Sequence, residues 1–464
     1  MKKHIPFWQL IAESIRGKEQ DYTRIPIKTG IVLLAVPMIL EMIMESLFAV
    51  VDIFFVGRLG EDAVATVGLT EAVLTIIYSL GVGISMAGTA MVARRFGEKN
   101  YQRAGTVAFQ LLLVGVLASL ALGMGGYFYS REILAIMGAE MQVLQMGTAY
   151  TEIIFAGNTA IMLLFLINGI FRGAGAPHLA MRALWISNGL NIVLDPLLIF
   201  GLGSFDGFGL VGAAWATTIG RSVGVVYQMY HLINGKHRLV IGRQNLKVRW
   251  VTLQKIIRIS VGGMGQFLVD SAAWIVLTRI AAEFGSAAVA GYTIAFRILL
   301  FSLMPAWGLS AAAATLVGQN LGAGKAFRAE LSTYLTARYN FIFLACVTLV
   351  YLLFADSLAG IFVQGEEVRE IAATGLKVTV LGYIFYAVGM VMVQAFNGAG
   401  DTRTPAYINV GVFWLLEIPM AYVLAITYNL GTLGIFSTIA FCHSLHAVIA
   451  LWFFRKGRWK FAKA

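Results

Sequence analysis

Residues 30–56 read GIVLLAVPMILEMIMESLFAVVDIFFV, a stretch in which only Glu41, Glu45 and Asp52 carry charge. A helix needs about 20 predominantly apolar residues to cross a bilayer. A spanning strand would alternate over about 10 residues, and this run does not. It therefore reads as a transmembrane helix. At about 100° per residue, Glu45 lies about 40° from Glu41 and Asp52 about 20° from it, so the three acids share one narrow face. Hydrocarbon does not accept such a face, because a charge at mid-membrane costs about 2.5–3.5 kcal/mol on insertion scales. The face must look into a helix bundle or a wet cavity. Mutual repulsion among three acids there favours uptake of protons or capture of a cation.

Eleven further apolar runs follow, at 66–92, 104–129, 149–171, 183–203, 208–232, 256–280, 288–318, 333–354, 375–397, 405–428 and 433–454. The 464 residues are 59% hydrophobic and only 13% charged, about half the charge of a soluble domain. The expected fold is an all-α membrane protein with twelve transmembrane helices. Cys346 and Cys442 sit inside apolar runs and read as small buried hydrophobes. The first 29 residues lack the apolar core of a cleavable signal peptide, so the first span is expected to act as an uncleaved insertion signal. Residues 5–17, with Ile5, Phe7, Trp8, Leu10, Ile11 and Ile15, fit either a short helix lying on the inner membrane surface or a frayed tail.

The formal net charge is +11, but the cations lie in short loops rather than on one nucleic-acid-binding module. Of the 35 Lys and Arg, 28 fall at the termini and even-numbered loops, 5 on the opposite side and 2 within spans. The positive-inside rule then places both termini in the cytoplasm; the expected location is the inner (plasma) membrane.

A shift of 225 residues superimposes the two halves. Arg172-Gly173-Ala174-Gly175 falls on Asn397-Gly398-Ala399-Gly400, Val92…Phe96-Gly97 on Val317…Leu321-Gly322, and Ala63-Val64-Ala65 on Ala288-Val289-Ala290. Glu45 falls on Asp270. Two pseudo-symmetric six-helix lobes follow, with equal orientation because six is even. The expected organisation is a cytoplasmic segment 1–29, an N-terminal lobe 30–232, a basic cytoplasmic linker 233–255, a C-terminal lobe 256–455 and a tail 456–464. Paired parallel bundles suit alternating access about a central site.

The remaining intramembrane polar residues mark where such a site sits. Asn188, Asn191 and Asp195 follow one another at helical spacing, and Pro196 frees the carbonyl of Ile192. Carboxylate, amide and carbonyl oxygens suit Na⁺ or a proton relay; Thr217 and Thr218 add hydroxyls. Arg221 and Arg297 are placed to neutralise an acid across the bundle, or Arg221 to snorkel at a helix end. Asp270 and Glu417 form a second, C-terminal polar site in which Leu277 replaces a partner for Asp52. Met38, Met42, Met44, Met86, Met264 and Met304 fit either a cavity accepting many shapes or ordinary packing. Gly81, Gly83, Gly88, Gly262, Gly263 and Gly265 fit close helix contact.

Several motifs fail. Gly318–Ala326 lacks the first Gly and the Ser/Thr of a P-loop. There is no HExxH helix, and Gly83-Ile-Ser85-Met-Ala87 misses a nucleophile elbow. His443 and His446 read as packing. The chain is not expected to be an enzyme, and no cofactor is expected beyond a coupling ion.

The run Pro37…Glu45…Val51-Asp52…Val56-Gly57, the Asn191…Asp195-Pro196 element, Val211-Gly212-Ala213-Ala214-Trp215-Ala216-Thr217 and the paired Arg172-Gly-Ala-Gly and Asn397-Gly-Ala-Gly-Asp401-Thr402 loops together resemble the multidrug and toxic compound extrusion (MATE) family over residues 25–455. The resemblance implies twelve helices in two lobes, a central cleft, and rocker-switch exchange of organic cations or amphiphilic drugs for H⁺ or Na⁺. It implies an N-lobe cation site at Asp52, Asn191 and Asp195, with Thr217 as helper, and a C-lobe acid at Asp270. Glu41, Glu45, Asn188, Glu417, Arg221 and Arg297 join a secondary cation or substrate cleft on geometry alone. The expected partners are small organic substrates and membrane lipid, without nucleic acid, and the chain is expected to act as a monomer. The alternative, a lipid-linked oligosaccharide flippase, needs several cationic groups in the cleft.

Overall fold

The computed structural model describes residues 6–17, 20–234, 237–363 and 365–462. Ile5, Lys236 and Lys463 lie outside them.

A short amphipathic helix, α1 (Phe7–Arg16), precedes the spans and leaves Phe7 and Trp8 exposed. The N-lobe contains α2 (Ile27–Gly57), α3 (Glu61–Gly97), α4 (Tyr101–Phe128), the short α5 (Ser130–Ile136), α6 (Met141–Ala156), α7 (Asn158–Ala174), α8 (Pro177–Phe200) and α9 (Leu210–Ile233). The C-lobe contains α10 (Trp250–Ala282), α11 (Ser286–Gly322), α12 (Ala326–Phe362), α13 (Glu366–Ala399), a segmented span 403–427 beginning with α14 (Arg403–Asn409) and including α15 (Ile418–Tyr422), and α16 (Gly431–Arg455). The only described strands form a two-residue hairpin, Gly201–Leu202 with Phe205–Asp206, between α8 and α9.

Ten of these helices are long and apolar enough to cross a membrane, and the bent pair α6–α7 makes eleven. The single run expected at 149–171 is this pair, bent by 43° at Gly157. The twelfth span, α9, is diluted by Gly, Ser, Thr and Gln, yet packs along α8.

The repeat survives in the coordinates. Glu61 and Ser286 begin α3 and α11, Gly97 and Gly322 end them, and each pair lies 225 residues apart. The paired Gly-Ala-Gly loops have a backbone cause. Gly175 and Gly400 end α7 and α13 at φ 77° and 87°, a left-handed conformation that a side chain disfavours. One difference is the span 403–427, where Val410–Glu417 and Val423–Thr427 are wound as π-helix. Pro419 has no N–H for the carbonyl of Leu415, which disturbs the α-helical ladder at this point.

Among the described residues, the contacts between the lobes gather at the end that carries the N- and C-terminal segments. There Tyr22, Ile31, Leu34 and Met38 pack with Leu309, Ala312 and Leu316. Arg172 and Gly173 accept hydrogen bonds from Thr315 and Gln319. Arg94 donates to Ala462, and Lys325 to Thr23. A Cβ on Gly83 would stand 2.5 Å from the Ser260 carbonyl, and one on Gly97 would clash with that of Gln319. Gly81 and Gly265 have no such close neighbour. The deepest contact is Ser46 Oγ to Met304 Sδ at 2.8 Å. Met86 and Met264 touch Gly263 and Gly83, so several of the singled-out methionines line the seam between lobes.

Candidate functional site

Glu41 does not face a cavity. It is buried, and Arg172 grips it with Nη2 to Oε1 at 2.5 Å and Nε to Oε2 at 3.3 Å. Asn168 also donates to Oε1, at 2.9 Å, and in turn accepts from Gln228. Glu45 is engaged in the same way one turn on. Arg221 Nη2 lies 2.9 Å from Oε1, and Asn188 donates to Oε2 at 3.0 Å. Arg221 is itself buried, so it does not snorkel. The three acids on one face are thus not left to repel one another, because two have guanidinium partners from α7 and α9. Arg172 was legible only as part of the repeated loop.

Asp52 makes no hydrogen bond or ion pair to the described residues. Its place opposite Asp195 follows from register. The parallel helices α2 and α8 are pinned by Trp185 to the Leu40 carbonyl and Asn188 to the Met44 carbonyl, and the next rungs bring Asp52 level with Asp195. Asp52 and Asp195 interact electrostatically. Asn191 Nδ2 donates to Asp195 Oδ1 and to Thr217 Oγ1, both at 3.2 Å. This arrangement leaves Asn191 Oδ1 and Asp195 Oδ2 buried without a donor. Buried acceptors without partners are costly; an amide oxygen and a carboxylate oxygen beside the Asp52 carboxylate fit a proton or a small hard cation. Thr217 belongs to this cluster, whereas Thr218 packs against the hinge at Gly157.

In the C-lobe, Asp270 faces solvent space and accepts from Asn409 Nδ2 at 2.9 Å. Asn409 Oδ1 lies 3.1 Å from His446 Nε2. His446 is therefore more than packing, although its ring also stacks on Phe413. His443 bonds the Ile439 carbonyl of its own helix. Glu417 is 2% exposed and has no hydrogen bond or ion pair among the described residues. Of the cysteines, Cys442 is buried as expected, but Cys346 is exposed on the outward face of α12.

Between the lobes, Glu71 on α3 and Arg297 on α11 are both exposed and interact electrostatically. Glu71 also acts on Asp52. Sequence reading missed it, a lone acid five residues into the 66–92 run with no second polar group at helical spacing to single it out. Beside Arg297, Trp274 and Phe296 stack with centroids 4.8 Å apart.

The MatE family model matches residues 37–197 and 264–423. The probable multidrug resistance protein NorM of Thermotoga maritima is 26% identical over 434 residues, covering 94% of this chain and 93% of the relative. The multidrug export protein MepA of Staphylococcus aureus is 24% identical over 431 residues, covering 93% and 94%. Among solved structures, an outward-facing conformation of a multidrug resistance MATE family transporter of the MOP superfamily superposes with a TM-score of 0.89 at 25% identity, covering 94% of this chain and 97% of that one. A MOP superfamily transporter from Pyrococcus furiosus, described as having a binding pocket of reversed polarity suggesting a different function, matches equally well at TM-score 0.89 and 25% identity, with the same coverage.

Proposed function

The chain belongs to the MatE family of membrane transporters, and from that premise we propose that it exports organic cations and amphiphilic drugs in exchange for H⁺ or Na⁺. The observation that carries the coupling half of this reading is the pair of buried, donorless oxygens on Asn191 and Asp195 beside Asp52. A cation loaded there replaces the missing donors and draws α2 against α8. Because α2 also forms part of the seam between lobes through Met38 and Ser46, its packing is linked to which side is open. Loading and drug binding must favour different states for exchange to occur.

With the basic loops in the cytoplasm of a plasma membrane, the joined end of the lobes is the cytoplasmic one and the described conformation opens outward. The outward state takes a cation at Asp52, Asn191, Asp195 and Thr217 and releases drug; the lobes rock, the cation leaves, and drug loads from the cytoplasm or inner leaflet. Na⁺ at Asp52, Asn191 and Asp195 is one form of this, a proton the other. Asp270 and Glu417 supply a second cation site, and exposed Glu71 favours cationic substrates in the cleft. The flippase reading loses support because Arg172 and Arg221 are both taken by glutamates, leaving Arg297 as the exposed cleft cation among the groups considered.

The test is efflux of a fluorescent cationic dye from proteoliposomes, driven in turn by a pH gradient and a sodium gradient. Wild-type protein is expected to respond to at least one, and Asp52→Asn to neither. Undiminished export by the variant removes the assignment of Asp52.

A further inference from the structure

We propose that Asn409 and His446 are positioning residues that make Asp270 the carboxylate through which the C-lobe loads its proton; this rests on the exchange reading above.

The repeat states the case. The offset that puts Asp270 on Glu45 also puts His446 on Arg221. In the N-lobe the two groups meet directly, with guanidinium on carboxylate at 2.9 Å. In the C-lobe the imidazole is too short to reach, and Asn409 bridges the gap. Asn409 stands where the N-lobe has the buried apolar Leu184.

The chain has a direction. Asn409 turns its N–H toward Asp270 and its oxygen toward His446, so His446 Nε2 must donate. His446 Nδ1 is buried and has no partner. A second proton on the ring would be an orphaned buried donor, so the ring sits neutral with its hydrogen on Nε2. Asp270 thus lacks the fixed cation that Glu45 has. One oxygen is held by Asn409, and the exposed side chain can exchange a proton with the cleft. Behind it, the π-helical turns begin immediately after Asn409 and end on buried Glu417. Such turns are frequent at functional sites.

Tyr386 from α13 faces this chain, with His443 of α16 beside it, and Glu417 from the segmented span, Tyr383 from α13, Cys442 from α16 and Tyr292 from α11 complete the titratable groups around it. None is a fixed cation. Glu417, the other acid here, lies within electrostatic reach of Asp270.

The experiment uses full-length purified protein treated with dicyclohexylcarbodiimide, which modifies protonated carboxyls, across pH 5–9. Mass spectrometry reads modification at Asp270 and, as a control, at Glu45. Asn409→Leu removes a hydrogen bond to the charged form and is expected to move the Asp270 midpoint upward by about one pH unit, a tenfold change in proton affinity. His446→Phe keeps the stacking but frees the amide, and should move it the same way by about half as much. His446→Gln keeps a donor and should restore the wild-type midpoint. Glu45 should be indifferent to all three. Coincident midpoints for wild type, Asn409→Leu and His446→Phe overturn the proposal, since a merely structural network would not move a midpoint. Dye efflux is measured in parallel. A shifted midpoint in a protein that exchanges nothing sinks the exchange reading but keeps the titrating chain; active exchange with an unmoved midpoint does the reverse.

Discussion

The N-lobe and the C-lobe share one backbone and differ in how they treat buried charge. In the N-lobe, Glu41 lies against Arg172 and Glu45 against Arg221. At the equivalent C-lobe positions, Gln266 and Asn397 exchange two amide hydrogen bonds at 3.0 and 3.2 Å, the neutral copy of the Glu41–Arg172 clamp. Asp270 and His446 replace Glu45 and Arg221 with an amide between them. Beyond these, Asp52, Asn191, Asp195 and Thr217 correspond to Leu277, Leu416, Met420 and Cys442. The contacts that shape the lobes show the opposite behaviour. Gly97 meets the Gln319 carbonyl and Gly322 meets that of Arg94, one contact seen from both halves. Gly173 on Thr89 and Gly398 on Ala314 repeat in the same way. Close backbone approach tolerates no side chain, so both halves keep it. A polar network needs only to be satisfied internally, so one half is free to specialise.

That asymmetry is broken most directly by transport. Asp52→Asn should cut gradient-driven dye efflux by at least about tenfold, because the loaded and empty states then no longer differ at the deep site. Asp270→Asn should cost about two- to threefold on the same argument. Equal losses in the two variants would mean that the lobes load ions equivalently despite Leu277.

Stability gives the next largest contrast. Arg221→Leu leaves Glu45 in the protein interior without its cation, a change worth about 3–5 kcal/mol. His446→Leu removes a neutral hydrogen bond, worth about 1 kcal/mol. Thermal unfolding in one detergent should therefore separate the pair widely, and adding Glu45→Leu to Arg221→Leu should recover most of the loss. Similar melting points for the two single variants would erase the distinction between fixed and titratable partners.

The third comparison is expected to show no difference. Gly97→Ala and Gly322→Ala each push a Cβ into a carbonyl of the other lobe. Each should destabilise by about 1–3 kcal/mol, the usual range for overpacking, and the two values should agree. Divergence would show that the seam is not symmetric in energy, whatever its geometry.

The fold was legible because apolar length and a 225-residue repeat are properties of the chain alone. The helices came out at the expected places, apart from the bend at Gly157, where Gly157-Asn158-Thr159 interrupts the 149–171 run that was read as one span. The pairing of Asn191 with Asp195 was legible because helical spacing fixes which side chains of one helix share a face, whereas Thr217, on α9, entered through the family resemblance. Partners across helices were not. Arg172 lay in what read as a loop motif, Glu71 was a lone acid that nothing in its own run singled out, and His446 had no ligand within its own span. Its neighbour Asn409 sits on another helix, and no periodicity relates the two. The three acids of the first span show the limit best, since their common face was predicted correctly, but whether they repel or are paired depends on guanidinium groups more than a hundred residues away.

The smallest effect tests whether burial, rather than sign, makes the difference between lobes. Asp356 and Lys377 form an ion pair at 2.7 Å with side chains 68% and 43% exposed. At the equivalent N-lobe positions the charges are reversed, Arg131 and Glu152. If charge arrangement itself distinguished the lobes, this inversion would be costly to disturb. An exposed pair, however, gains little over its hydrated members and loses side-chain entropy, for a net of about 0–1 kcal/mol. Asp356→Asn should therefore shift stability by less than about 1 kcal/mol, with no change in the pH dependence of transport. A larger shift would mean that surface charge, not the buried networks of Arg221 and His446, carries part of the specialisation.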